Sequence, residues 1–444
     1  MLDETSKTAR LAIPIILGEI AQMSLHLIDT AMVGAVSYVQ LAAASLVFNV
    51  MNIPFVIGIG ITISVSQMVS MAQGQFDGQK VSHYFFNGFI LCAGFSLLIA
   101  AVLFGSKNIF HSLGQDEEVV SYAVPFMNFI GLSIIPMILF MTLKQFTDGL
   151  EYTKTAMFIS LAGLPLNIFL NWLLIFGNLG FPRLELLGAG WATLITRTLM
   201  FLALGYIVLR HKLFARYIAV SKHQWKLKVK TLKELLHIGI PSSMQLGMES
   251  GVFAVSGIII GTIGAVEQAA HQIALSCASL TFMVSLGLSQ AASIRVSNAF
   301  GAKNFPKITL IGKSALLTAL CYGTFCALLF TIFRNQLPGL FNDDPKVVEM
   351  AAYLLLFASI FQISDSTQAV GSGILRGLKD VKIPTVFIAI AYWVIGLPVG
   401  YLITFHWGWG PSGIWTGLTT GLSLASLFLI GRFFLLTRSR AHRS

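Results

Sequence analysis

Charge is what this sequence has least of. Asp, Glu, Lys and Arg make up 11% of its 444 residues, against roughly 25% in a typical soluble domain. That scarcity excludes an ordinary soluble globular chain. Cysteine is scarce too. Cys92, Cys277, Cys321 and Cys326 all fall in apolar stretches and read as small core residues rather than a disulfide or metal set. Catalytic signatures are missing. There is no His-Glu-x-x-His, and Gly312-Lys313-Ser314 resembles the close of a phosphate-binding loop whose opening glycine is replaced by Lys307. With no soluble segment to hydrolyse ATP, the energy for any work must come from an ion gradient.

What the sequence has is apolar length. Hydrophobic residues make up 55%, and mean hydropathy is +0.78. The apolar runs are continuous and near or above the ~20 residues that span a bilayer as a helix. An outer-membrane barrel would show short alternating segments instead. The expected class is an all-α polytopic membrane protein with 12 transmembrane helices, at 10–36, 41–72, 84–104, 119–146, 154–177, 188–209, 235–262, 267–298, 308–332, 348–375, 382–404 and 411–436. Prolines within or at the edge of the runs, from Pro14 to Pro398, are expected kinks whose freed carbonyls neighbouring helices can satisfy. No cleavable signal is expected, since Asp3, Glu4, Lys7 and Arg10 precede a run of full spanning length.

The net charge of +10 could suggest nucleic acid, but its placement argues otherwise. Twenty-four of the 29 Lys and Arg residues fall on one side, with both termini and the even-numbered loops. Lys107, Arg183, Arg334 and Lys346 fall on the other, and Arg197 lies within a run. This bias predicts cytoplasmic termini in the cell inner (plasma) membrane, with basic groups meeting anionic lipid headgroups. Nucleic acid is not an expected partner. The basic connection 211–233 reads as a linker, with room for an amphipathic helix on the bilayer surface.

The chain also repeats itself. Shifting 13–80 onto 240–307 matches more than a dozen positions without a gap, among them Pro14/Pro241, Gly34/Gly261, Gly60/Gly287 and Gly74/Gly301. A second echo sets Gly149-Leu150 against Gly377-Leu378. The expected organisation is an N-lobe of six helices at 1–210, the linker at 211–233 and a C-lobe of six at 234–444. Equivalent segments are separated by an even number of helices. The repeats are therefore parallel, with a pseudo-twofold axis along the membrane normal, a design suited to alternating access.

Three carboxylates stand far from the ends of their runs: Asp29, Glu249 and Asp365. A charged Asp at the centre of a membrane helix costs about 2.5–3.5 kcal/mol, which points to protons, metal cations or organic cations handled inside the bundle. The first predicted helix carries Glu19, Gln22, His26 and Asp29, spaced to share one face. Asn167 and Asn171 form an i,i+4 pair on the fifth. The seventh offers Gln245 and Glu249. The tenth offers Gln362, Asp365 and Gln368. A hydrogen-bonded seam between helices is the structural alternative for each. Oxygen-rich patches with carboxylates suit a hard cation such as Na⁺, or a proton. In the repeat Gln22 corresponds to Glu249 and Ser256 to Asp29, so the halves share a scaffold but not their charges.

These residues resemble the MATE (multidrug and toxic compound extrusion) family over essentially the whole chain, and its NorM-like branch in particular. The marks are Ile28-Asp29-Thr30-Ala31-Met32-Val33-Gly34, Leu41-Ala42-Ala43, the pair Asn167 and Asn171, and the C-lobe acids Glu249 and Asp365. The resemblance implies a V-shaped fold and no enzymatic activity. It implies a monomeric secondary antiporter that exports small cationic amphipathic drugs or metabolites in exchange for Na⁺ or H⁺, with no other cofactor. The implied N-lobe site comprises Asp29, Gln22, His26, Asn167 and Asn171. The implied C-lobe cation site, a possible Na⁺ site on Glu249 and Asp365, adds Gln245, Gln362 and Phe361. Phe361 departs from a tyrosine frequent in this branch and removes one oxygen. Glu19 is an acid outside the pattern. A flippase for lipid-linked oligosaccharide or peptidoglycan precursors is the alternative, but it calls for a cationic cavity, whereas the embedded charges here are mostly acids.

Overall fold

An apolar run in a bilayer must satisfy its own backbone, and the α-helix does so within one segment. The computed structural model describes residues 1–106, 110, 116–219 and 226–441, with side chains through 438. Lys107, Lys222 and Arg443 of the charge count, the linker's middle (220–225) and the side chain of Arg440 lie outside the described residues. Among the described residues, twelve helices are long and apolar enough to cross a membrane. They are α1 Leu2–Gly34, α2 Tyr38–Gly74, α3 Gly78–Gly105, α4 Glu117–Gly149, α5 Thr153–Phe176 and α6 Leu186–Arg210, then α7 Val229–Gly261, α8 Ala265–Gly301, α9 Phe305–Phe333 and α10 Pro345–Gly377. The last two are α11 Lys382–Phe405 and α12 Pro411–Ala441. A short helix at Lys212–Ala219 stands in the basic connection, and no strand occurs among the described residues.

The chain forms two compact units. The N-unit is Leu17–Ser243, and the C-unit joins Met1–Ile16 to Met244–Ser444. The divisions fall inside α1 and α7 rather than in the connection. Each unit has its own core. Phe126, Phe140, Phe146 and Phe214 are fully buried in one, and Phe361, Trp415 and Phe433 in the other. Leu11, Ala12 and Ile15, from the start of α1, belong to the C-unit core.

Two crossings explain why these particular segments belong where they do. In the N-unit α2 passes α7 so closely that a Cβ on Gly60 would lie 2.4 Å from Ser243 Cα. In the C-unit α8 passes α1, and a Cβ on Gly287 would lie 2.4 Å from Ile16 Cγ1 and 3.1 Å from its backbone nitrogen. Gly60 corresponds to Gly287 in the repeat, and Ile16 to Ser243. Only glycine lets two helices approach so closely.

The helix ends repeat as well. Phe76 and Lys303, and Glu151 and Lys379, sit in the left-handed region with φ of 56°, 57°, 66° and 60°. Each closes its helix with paired bonds from its own N–H and that of the following residue, as where Phe76 N–H reaches Gln73 and Asp77 N–H reaches Ala72; this is the Schellman arrangement. Asp77 then caps α3 and Asn304 caps α9, each accepting a backbone N–H from the lysine three residues on. The Lys80 N–H and the Lys80 ammonium hold the Asp77 carboxyl below the usual carboxylate range.

Several expectations change. Helix α1 begins at Leu2 rather than near residue 10, because Arg295 of α8 binds the Glu4 carboxylate and Thr8 within the C-unit. Lys144, Arg295 and Arg376, counted as loop charges, are buried in helices. Lys144 pairs with Glu19 of α1 and with Asp148 one turn along its own helix, Arg295 pairs with Glu4 of α1, and Arg376 donates to Ser372 one turn back. Cys321 is exposed, unlike the other three cysteines. Helix α11 is not uniform, since 390–396 is π-helical just before Pro398. Proline has no N–H to give to the residue four back, and a wider turn absorbs the mismatch.

Candidate ion sites in each unit

In the N-unit, α1, α5 and α6 converge on Asp29. The side chain is 5% exposed. Its Oδ1 accepts from Asn171 Nδ2 at 2.7 Å and its Oδ2 from Thr193 Oγ1 at 2.8 Å. Asn171 Nδ2 also donates to Asn167 Oδ1 at 3.1 Å. Both donor hydrogens of that amide are thus spent, and its Oδ1 is buried with no partner. A carboxylate offers about four lone-pair sites, and two of those on Asp29 are occupied here. What remains is a buried set of oxygens from Asp29, Asn167, Asn171 and Thr193, the donor type preferred by a hard monovalent cation. Arg197, one turn beyond Thr193, is anchored to Ser133 Oγ at 2.7 Å and acts electrostatically on Asp29.

The rest of the α1 stripe disperses. Gln22 reaches Ser160 of α5 at 3.5 Å, at the limit of a hydrogen bond. His26 sets its ring edge-on to Phe48, with centroids 4.4 Å apart. Glu19 accepts from Lys144 of α4 at 2.6 Å. Shared spacing put these four residues on one side of a helix, but each meets a different neighbour. Thr193 was not singled out by the sequence. Its only signal is the i,i+4 spacing to Arg197 in an apolar run.

In the C-unit, Glu249 of α7 and Asp365 of α10 line one cavity of about 180 Å³. Ser250, Ser279, Phe361 and Tyr392 also line it. Glu249 Oε1 accepts from Gln368 Nε2 at 2.7 Å, and Asp365 is 5% exposed. A liquid-water molecule takes ~30 Å³ and a drug-sized ligand ~300 Å³ or more. The cavity therefore suits a small cation with water. Phe361 packs between Phe253 and Trp415, with centroids 5.9 and 5.6 Å away. A phenol is nonetheless present, because the π-helical turn of α11 brings Tyr392 to the same cavity. The sequence reading missed Tyr392, whose position depends on that irregular turn.

Gln245 and Gln362 serve packing contacts. Gln245 donates to Thr385 Oγ1 at 2.9 Å and accepts from Ser372 at 2.8 Å. Gln362 Oε1 accepts from Thr281 at 2.9 Å. Among the described residues no three His, Cys, Asp or Glu side chains group to hold a metal ion. Any cation site among them is built from amide and hydroxyl oxygens with one or two carboxylates.

The same two-part construction is seen in known proteins. The model of the MatE family matches residues 14–173 and 241–402, two segments whose starts are 227 residues apart, the offset of the internal repeat. The chain belongs to the MatE family. The probable multidrug resistance protein NorM of Rhizobium meliloti is 35% identical over 96% of this chain and 92% of its own length. The multidrug resistance protein NorM of Vibrio cholerae is 34% identical over 98% and 96%. A crystal structure of the eukaryotic MATE transporter AtDTX14 aligns with a TM-score of 0.86 at 22% identity, over 100% of this chain and 99% of that one. The chain is accordingly an all-helical, multi-pass membrane transporter with small-molecule substrates, and it is not an enzyme.

Proposed function

We propose that this transporter is a multidrug efflux antiporter of the inner membrane, with cytoplasmic termini. It exports cationic amphipathic compounds in exchange for Na⁺ or H⁺ by alternating access. The observation that carries this reading is the pair of buried oxygen sets, one on Asp29 in the N-unit and one on Glu249 and Asp365 in the C-unit. Charges held at such depth are expensive, and a carboxylate that alternately binds an ion and releases it is a means of coupling. The names of the Rhizobium and Vibrio relatives support the multidrug part.

Na⁺ is the favoured ion. The donors are hard oxygens, and Tyr392 offers a phenol on the cavity where Phe361 has none. Stoichiometry decides the driving force. One Na⁺ in for one monovalent cation out moves no net charge, so the membrane potential, about 2.3 kcal/mol per charge per 100 mV, cancels. Only the ion ratio then drives export, at ~1.4 kcal/mol per tenfold. Two ions per substrate restore the electrical drive, and acids in both units allow that count.

The test is export of a cationic dye from proteoliposomes under imposed gradients. An inward Na⁺ gradient at equal pH should drive export. Export that follows a pH gradient and ignores Na⁺ assigns the proton instead. Dye movement indifferent to both gradients defeats the antiport reading.

A further inference from the structure

The C-unit holds a larger hollow where α9 ends and α10 begins. It measures about 420 Å³. Arg334 and Asn335 line it from the end of α9, and Pro345, Glu349 and Tyr353 from the first turns of α10. Arg334 is half-buried and Glu349 exposed. Their side chains face one space, yet they form no ion pair with each other, and neither has a hydrogen-bond partner among the described residues. Opposite charges that share a space without meeting suit a molecule that carries both. The surroundings are those of a membrane interface. Leu340 and Phe341 of the α9–α10 connection are exposed. Phe325, Leu328 and Ile332 are exposed on α9, at spacings that put them on one face with Asn335. On α10, Tyr353 and Ile360 are exposed two turns apart. At ~1.5 Å per residue, the stretch from Phe325 to Asn335 covers ~15 Å, half of a ~30 Å hydrocarbon core.

We propose that this hollow is a headgroup site for a zwitterionic phospholipid with a primary amine, such as phosphatidylethanolamine. The phosphate lies on Arg334, whose planar fork matches phosphate oxygens, and Asn335 adds an amide donor. The ammonium donates to Glu349, beside the Tyr353 ring, whose face attracts a cation. The acyl chains run along the exposed apolar faces of α9 and α10. An anionic phospholipid would meet Arg334 but bring no partner for Glu349, and its charge would be set near that carboxylate. A free phosphoamine has the same polar chemistry but leaves the apolar faces without contact, so the lipid is the source the surface favours. Basic residues are sparse at this end of the helices, so a general attraction for anionic lipid does not compete.

The inference needs the chain to sit in a bilayer but does not rest on antiport, because its readout is lipid binding. Native mass spectrometry of the delipidated protein measures the tightest bound lipid. Dioleoyl phosphatidylethanolamine, dioleoyl phosphatidylglycerol and soluble phosphorylethanolamine are added singly at equal concentration. Wild type should hold the amine lipid about tenfold more tightly than the glycerol lipid, the worth of one charge-assisted hydrogen bond, and should not retain phosphorylethanolamine. E349Q should weaken the amine lipid until the two lipids bind alike. R334Q should weaken both. Both side chains stand at the surface, so the variants should fold, and size-exclusion profiles check that they do. Equal affinity for the two lipids in wild type, or amine-lipid binding unchanged in both variants, overturns the proposal. Retention of phosphorylethanolamine as tight as that of the lipid assigns a soluble zwitterion and overturns the membrane source.

Discussion

The two units share a backbone plan and differ in where they keep their charge. Gly60 and Gly287 make equivalent crossings, and Phe76 and Lys303 close equivalent helices in the same left-handed geometry. Yet the N-unit holds Asp29 by direct hydrogen bonds from donors on two other helices. The C-unit places Glu249 and Asp365 around an open space of about 180 Å³. The backbone repeat constrains packing, where close approach leaves no freedom. It does not constrain which polar group stands at a given depth, so the two copies could acquire different ion chemistry.

The largest effect is expected at the tighter site. D29N keeps the shape and removes the charge, and dye export should fall to the level of protein-free vesicles while the amount of inserted protein is unchanged. T193A should be milder. It removes one bond to a charged acceptor, about 1.5–3 kcal/mol, or roughly ten- to a hundredfold in ion affinity. Undiminished export by D29N would erase the distinction between the units, because the α1 acid would then be structural.

The C-unit should behave as one cooperative site. E249Q and D365N lie on one cavity, so each single change should cost nearly as much Na⁺-coupled export as the double. Additive losses in the cycle would mean that the two acids serve separate steps and that the cavity is not a single ion site.

Next come the crossings. A methyl on Gly60 meets backbone of Ser243, whereas one on Gly287 first meets the side chain of Ile16. G60A should therefore lower the unfolding temperature more than G287A, with overpacking costing about 1–3 kcal/mol. Equal shifts would show that the α2–α7 contact yields as readily as the α8–α1 contact.

The smallest change expected is a gain. Lys303 holds φ of 57°, which strains an L-residue by about 1–2 kcal/mol. K303G relieves that and adds about 0.4–1 kcal/mol of unfolded-state entropy, so thermal stability should rise slightly. F76G should do the same in the N-unit, and opposite signs at the two turns would break the equivalence of the helix ends.

Much of this was legible in the sequence for a simple reason. In a bilayer, helix length and apolar continuity have a single backbone solution, so the twelve spans follow from composition along the chain. The repeat showed in Pro and Gly because those residues answer to backbone geometry, and the Gly60 and Gly287 crossings are the cause of that match. The acids Asp29, Glu249 and Asp365 stood out because a charge in an apolar run has a known cost. The tertiary structure alone decided their company. Thr193, Tyr392 and Lys144 were silent because a threonine in a helix, a tyrosine near a proline and a lysine near a helix end are each ordinary locally. What makes them matter is which neighbour they meet across a helix interface, and that depends on crossing angles, on the π-helical turn of α11 and on the rotation of α4. Such contacts arise between helices distant in sequence, where periodicity along one helix carries no information.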